Sequence, residues 1–201
     1  LIIHLGMSGS IKVVSGDTPL KKHDHFELGL ANESVMRLND PRRFGAVLFS
    51  KDGSYPLLDS LGVEPLENEF DDTYLYSRSR KKQQNIKAFI MDSKIVVGVG
   101  NIYACESLHQ AGINPERKAG SVSKKRYALL TQRIKTILTQ AIKAGGTTLQ
   151  DFSQVDGSPG YFAQTLSVYG CEGKPCTICN GKISRIIQNQ RSTFYCKQCQ
   201  T

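Results

Sequence analysis

No apolar run in these 201 residues approaches a membrane span, which takes about 20 consecutive apolar residues. A bilayer-spanning protein is therefore not expected. The first residues carry neither a basic stretch nor a small-residue cleavage site, so no secretory signal is expected. No strand–Gly-x-Gly-x-x-Gly–helix unit is present; Gly98-Val99-Gly100 alone is a weak signal, and a dinucleotide site is not expected. Internal repeats and low-complexity tracts are also lacking. No methionine precedes Leu1-Ile2-Ile3-His4-Leu5, which reads as the middle of a buried strand. We therefore expect a segment ahead of it.

What is present is ordinary in hydrophobicity, 39%, and in charged residues, 22%, but the net charge is +8 and the pI about 9.2. A basic chain favours polyanions such as DNA, RNA or an anionic membrane surface, although charge alone also suits a merely soluble basic protein. Six cysteines without a secretory signal point to a reducing compartment. Four of them pair as two Cys-x-x-Cys units, leaving Cys105 and Cys171 over.

The order of patterns predicts an α+β chain. Residues 1–50 read as β structure, with short apolar runs between turn signals at Ser8-Gly9, Ser15-Gly16-Asp17 and Asn39-Asp40-Pro41. Phe26, Leu28 and Leu30 alternate with His25, Glu27 and Gly29, as in a half-buried strand, and Phe44–Phe49 is another strand candidate. Residues 51–78, with Pro56, Pro65 and an acidic cluster, read as a connector. Helical spacing begins in Lys82–Met91, and a short helix follows Gly98-Val99-Gly100-Asn101 and ends near Gly112. The clearest helix runs from about Lys124 to Lys143, with Leu130, Ile134, Ile137, Leu138 and Ala141 as its apolar stripe. Thr148-Leu-Gln-Asp151 matches a capping box opening one more short helix.

Cys176-x2-Cys179 and Cys196-x2-Cys199, sixteen residues apart, fit a four-cysteine structural zinc site. Ile183–Gln188 and Thr193–Tyr195 read as the strands of a hairpin between them. So small a module buries no core of its own, and the metal supplies the folding energy. Two redox Cys-x-x-Cys pairs, or Cys171 as a substitute ligand, are the rival readings. Over residues 167–201 five basic residues face one acidic residue, a net of +4, which suits phosphate contact. Arg191 falls in the turn Asn189-Gln-Arg-Ser192, where it is either an idle solvated cation or a fork for phosphate oxygens.

Six segments together resemble one family: His4-Leu-Gly-Met-Ser-Gly9, Asp40-Pro-Arg-Arg-Phe-Gly45, Val97-Gly-Val-Gly-Asn-Ile-Tyr103, Gly145-Gly-Thr-Thr148, Pro159-Gly-Tyr-Phe162 and Gln190-Arg-Ser-Thr-Phe-Tyr-Cys196. They run through the whole chain in the order found in bacterial formamidopyrimidine-DNA glycosylases. The resemblance implies base-excision repair: removal of 8-oxoguanine opposite cytosine and of ring-opened purines, followed by strand cleavage through β- and δ-elimination. It implies three parts: the remainder of an N-terminal β-sandwich with its connector at 1–66, a helix–two-turn–helix region with a lesion-covering loop at 67–166, and a zinc finger at 167–201. It further implies one structural zinc, damaged double-stranded DNA as partner, a monomeric parent and a place on the nucleoid in the bacterial cytoplasm.

An enzyme that extrudes a base leaves a void beside an orphaned partner base. The resemblance assigns Met7, Arg42 and Phe44 to that void, with Arg42 on the orphaned cytosine. Read without it, Met7 and Phe44 are core residues, but both lie beside turn signals and not in apolar runs. Asn101, at a helix start, and Lys87 are implied phosphate contacts, as is Arg191. His23 and Lys82 match further DNA-contacting positions, although Lys82, among several basic residues, also reads as simply solvated. The Gly/Pro-rich stretch with Gln150, Gly160 and Tyr161 is the implied lesion loop; its other reading is a plain connector.

The family's nucleophile is an N-terminal proline amine followed by a glutamate. A terminal amine, with a pKa of about 7.7–8.0, is far more available as the free base at neutral pH than a lysine. This chain opens on Leu1-Ile2-Ile3, so the 201 residues as they stand are expected to bind DNA but not to excise bases. Arg191, implied as a late proton donor in elimination, could not start that reaction. The β region is expected to expose edges and apolar surface and to self-associate. Three alternatives remain: a non-enzymatic zinc-dependent damaged-DNA-binding module, an endonuclease VIII-like glycosylase of oxidised pyrimidines, and an RNA-associated zinc ribbon.

Overall fold

The computed structural model describes residues 1–6, 8–146 and 166–201. Met7, the capping-box helix at 148–151 and the loop positions Gln150, Gly160 and Tyr161 lie outside the described residues. The chain divides into two compact units, residues 1–59 with 144–163 and residues 60–143 with 164–201.

The first unit is antiparallel β. Strand β1 (Ile2–His4) pairs with β5 (Ala46–Leu48), and β2 (Ser10–Ser15), β3 (Asp24–Gly29) and β4 (Ser34–Asn39) form a sheet in the order β2-β4-β3. The expected strand over Phe44–Phe49 is trimmed to three residues, since Arg43 takes a left-handed φ of 55° and the chain turns there. In β3 only Phe26 of the alternating set is half-buried; Leu28 and Leu30 are exposed, and the register shifts between Asp24 and Phe26. Buried Arg37 on β4 ties the loop ahead of β3 to the sheet. Its Nε donates to Glu27 Oε2 at 2.6 Å and its terminal nitrogens to the carbonyls of Pro19 (3.1 Å) and Thr18 (2.8 Å).

The second unit holds the main core. Residues 51–78 are not the plain connector expected: α1 (Pro56–Asp59) ends the first unit, and α2 (Asp72–Ser79) opens helical structure in the second. The acidic cluster hid a cap, because the Asp71 side chain accepts the Tyr74 amide and starts α2. Helix α3 (Ile86–Ile90) is capped in the same way by Asn85, so it begins four residues later than the apolar spacing suggested. Helix α4 (Asn101–Gln110) follows a turn in which Gly98 has φ +76°. After a 3-10 turn at Ala119–Ser121, α5 (Lys124–Lys143) buries every residue of its expected stripe, with Tyr127 and Thr131 added. Phe70, Leu75, Ile86, Phe89 and Leu108 pack with Leu130, Ile134 and Leu138 of that stripe in one cluster. Each such side chain contributes about 1.5–3 kcal/mol. A zinc-finger hairpin, β6 (Ile183–Gln188) and β7 (Arg191–Cys196), closes the unit.

The two units differ sharply in what they bury. In the first, Leu38 is the one fully buried hydrophobic residue among those described, whereas Val13, Leu20, Phe44, Phe49 and Leu57 are more than half exposed. Exposed apolar surface of this kind drives association. The 201-residue chain is expected to show concentration-dependent self-association by sedimentation velocity. A monomer at all concentrations up to about 100 μM, where contacts of ~5–6 kcal/mol saturate, would count against it.

Candidate nucleic-acid interface

The hairpin depends on a metal centre. The Sγ atoms of Cys176, Cys179, Cys196 and Cys199 all lie within 4.8 Å of one another. Two of the separations are 3.8 Å (Cys176–Cys199) and 3.5 Å (Cys179–Cys196). A tetrahedron with zinc–sulfur bonds of about 2.3 Å has edges of about 3.8 Å, so the four atoms fit one ion. The crowding itself calls for a cation: hydrogen bonding from Cys179, then burial and the other two thiols, pushes the Cys199 thiol up, and a bound divalent ion reverses that. Backbone amides also face the sulfurs, Ile178 N at 3.5 Å from Cys176 Sγ and Gly181 N at 3.4 Å from Cys179 Sγ. The set is that of one structural zinc, which would have four protein ligands and no position left for chemistry. Cys171 is not among the four.

Strands β6 and β7 pair in register between the two cysteine pairs, Ile183 opposite Cys196 through to Gln188 opposite Arg191. The turn is therefore only Asn189-Gln190, both with positive φ (48° and 60°), the pattern of a type I′ hairpin. Arg191 is not within the turn, as the sequence suggested, but is the first residue of β7.

Strand β7 then supplies acceptors to the helices. Lys87 on α3 is 2% exposed, and its Nζ donates to Thr193 Oγ1 at 2.6 Å and to the Ser192 carbonyl at 3.4 Å. Asn101, the first residue of α4, donates through Nδ2 to the same Ser192 carbonyl at 2.9 Å, and its buried Oδ1 has no partner among the described residues. No side chain caps the first turn of α4. A cavity of about 200 Å³ between α3 and the hairpin is lined by Lys87, Gln188 and Arg191 among others. Burial, and then the Arg191 charge, push the Lys87 ammonium below its ordinary pKa. No carboxylate pairs with either cation among the described residues. Lys82 is exposed at the surface.

Two residues of α4 outside the expected site anchor the segment that leads into the zinc finger, Glu106, to which the sequence drew no attention, and Cys105. Glu106 is 2% exposed, and its carboxylate accepts the backbone amides of Ser167 (3.0 Å), Val168 (2.9 Å) and Tyr169 (2.9 Å), the segment leading into the zinc finger. Cys105 lies beside it in the small core of Val168, Cys176, Ile183, Phe194 and Cys196, and burial pushes its thiol up. Glu106 is the one acid in α4, and that was the available signal for it.

In the first unit, His23, Arg42 and Phe44 are gathered by Asp40. The Asp40 amide donates to the His23 carbonyl at 2.9 Å, and its Oδ2 accepts the Gly45 amide at 2.7 Å. Arg42 is exposed and donates from Nε to Ser8 Oγ at 3.1 Å. Phe44 is 63% exposed, so it is not a core residue. Gly6, with φ +62°, lets the neighbouring loop lie against Phe44, where a Cβ would come within 2.8 Å of its backbone.

A mixed fold with a four-cysteine hairpin docked on two helices defines the class, a zinc-finger protein with an uncapped helix start beside the hairpin. Family models narrow it. Residues 1–47 match the formamidopyrimidine-DNA glycosylase N-terminal domain, 61–153 its H2TH domain, and 173–201 the zinc finger found in FPG and IleRS. The chain is 77% identical over all its 201 residues to the formamidopyrimidine-DNA glycosylase of Ruthia magnifica subsp. Calyptogena magnifica, of which it covers 75%. It is 54% identical over 201 residues to that of Alteromonas mediterranea, again covering 75%. A Lactococcus lactis FPG mutant in complex with a Fapy-dG containing DNA superposes with a TM-score of 0.89 at 34% identity, over 99% of this chain and 74% of that one. The Lactococcus lactis Fpg with an abasic site containing DNA gives 0.88 at 34% identity, with 99% and 74% covered. The chain belongs to the formamidopyrimidine-DNA glycosylase family.

Two outcomes test how the site is held. Glu106→Gln leaves one oxygen and an amide NH2 facing three donors, and should cost about 1–3 kcal/mol in urea unfolding of the zinc-loaded chain; an unchanged midpoint would mean the anchor is dispensable. Chelating the zinc should unfold the hairpin and free Lys87 and Asn101 from β7. Circular dichroism that stays unchanged after zinc removal would contradict this.

Proposed function

We propose that the chain acts in base-excision repair of DNA, holding the duplex for a glycosylase/AP lyase of oxidised purines. The observation that carries the reading is the pair of cations at Lys87 and Arg191, placed without a carboxylate partner beside the uncapped start of a ten-residue helix. A helix start offers amide donors and a positive dipole, and a partly buried pair of cations lacks only an anion. A phosphate of the DNA backbone supplies it, with Asn101 completing the set. Arg191 is the assigned late proton donor, and Lys82 contacts the backbone farther along.

The first unit adds the reading of the lesion. Phe44 presents an exposed ring and Arg42 an exposed guanidinium, the two chemistries needed to fill a void and hydrogen-bond an orphaned cytosine. With Met7 they form the proposed void-filling set. His23, tied to Asp40, contacts the adjacent backbone, and the stretch with Gln150, Gly160 and Tyr161 covers the extruded base. The relatives named above are glycosylases, and the Lactococcus lactis enzyme was solved with Fapy-dG and with abasic-site DNA. A neighbouring structure contains an oxidised pyrimidine, which favours a lesion range that extends to pyrimidines as a second reading. The proposed setting is the nucleoid in the bacterial cytoplasm.

The test is binding to a duplex with an abasic-site analogue, titrated with salt. Arg191→Ala and Lys87→Met should each lower the slope of log K against log salt by about 1. Cytosine opposite the analogue should bind more tightly than adenine, and Arg42→Ala should erase the difference. The pH dependence has a definite sign. The free protein holds the Lys87 pKa below its ordinary 10.5, so the unfolded chain binds more protons there and stability rises with pH up to that value. A bound phosphate favours the ammonium, so affinity should fall as pH rises through the depressed pKa, and Lys87→Met should lose that fall. Unchanged slopes, or tighter binding to single-stranded RNA, would sink the reading.

A further inference from the structure

Helix α4 meets the zinc module a second time, through a residue that the phosphate reading does not use. Asn101, Cys105 and His109 recur every four residues, on one face of the helix. His109 is 1% exposed, and its Nε2 lies 3.3 Å from Cys176 Sγ across 67 residues of chain. Cys176 is fully buried. As a zinc ligand it is a thiolate, which only accepts hydrogen bonds. The proton of the contact therefore sits on Nε2, whether the ring is neutral or charged. Nδ1 is buried with no hydrogen-bond partner among the described residues. Packing does not explain this choice, because an apolar ring would fill the space without burying an orphaned nitrogen. What imidazole adds at this position is the Nε2–H.

We propose that His109 is a metal-tuning residue: its Nε2–H donates to the zinc-bound thiolate of Cys176 and slows loss of the ion. Four thiolates around a divalent ion carry a net charge of −2, and a proton or electrophile that attacks one sulfur begins its release. A hydrogen bond draws charge from that sulfur and makes it a poorer base and nucleophile. The Ile178 amide, 3.5 Å away, reaches the same atom from within the finger. His109 is the donor contributed by the helix that bears Asn101, so the state of the ion is linked directly to that helix.

The test uses the whole zinc-loaded chain. His109→Phe keeps the ring's bulk and removes the donor. Its zinc should be released faster to a chromophoric chelator, with affinity down by about 10–100-fold, and alkylation by N-ethylmaleimide should accelerate in parallel. With cobalt in place of zinc, the sulfur-to-metal charge-transfer band should move to lower energy. His109→Gln, whose amide N–H reaches the Nε2 position, should restore both the rate and the band. A folded His109→Phe chain with the original release rate and band position would overturn the proposal. So would a His109→Gln chain that behaves like His109→Phe, including the case in which neither binds zinc.

Discussion

Four sulfurs within 4.8 Å of one another cannot all be thiolates without a cation among them, and much of the second unit rests on that constraint. The hairpin has only the small core around Val168, Ile183 and Phe194, too little to pay for its own ordering. The ion closes the loop between the two Cys-x-x-Cys turns and so fixes the register of β7. That register decides which carbonyl and hydroxyl face the helices. Ser192 and Thr193 then hold Asn101 and Lys87 in place. The zinc is thus chemically inert and still sets the geometry of the proposed phosphate site.

The cost of that site lies in the same unit. A lysine that is almost fully buried and bonded only to neutral acceptors, with an arginine nearby, is unfavourable in the free protein. Structural cations of this kind ordinarily meet a carboxylate, as buried Arg37 meets Glu27 in the first unit. Glu106 is an acid close by on α4, yet its oxygens are committed to three backbone amides. That acid is therefore committed to holding the finger, and neither cation has a carboxylate partner among the described residues. On the proposed reading, stability given up in the free state reappears as affinity for a phosphate.

The zinc ligands and the α5 stripe were legible in the sequence because each is a local pattern. Cysteine spacing and helical periodicity need no knowledge of distant residues. Asn101 and Arg191 lie within the family segments, whereas Lys87 lies outside them and was named through the resemblance alone. Helix α2 was hidden, since the acidic residues that looked like a solvated connector include its cap, Asp71. Glu106 and His109 were passed over for a deeper reason. Their partners lie more than 60 residues away, and a buried polar group is decided by the partner and not by its neighbours in sequence. Arg191 shows the middle case: its neighbourhood was right, but the two-residue turn that makes it a strand residue depends on pairing across the hairpin.

The first unit makes a different point about how exposed residues become a site. Phe44 and Arg42 gain little from burial, so nothing in the core holds them where they are. Order comes instead from Asp40, which is 3% exposed and bonds through its amide to His23 and through its carboxylate to Gly45. Those bonds bracket the segment Pro41–Phe44 at both ends. The left-handed Arg43 within it carries strain that such bracketing offsets. A ring and a guanidinium held out toward solvent by a buried aspartate fit a surface meant to enter another molecule, and core packing gives no account of them.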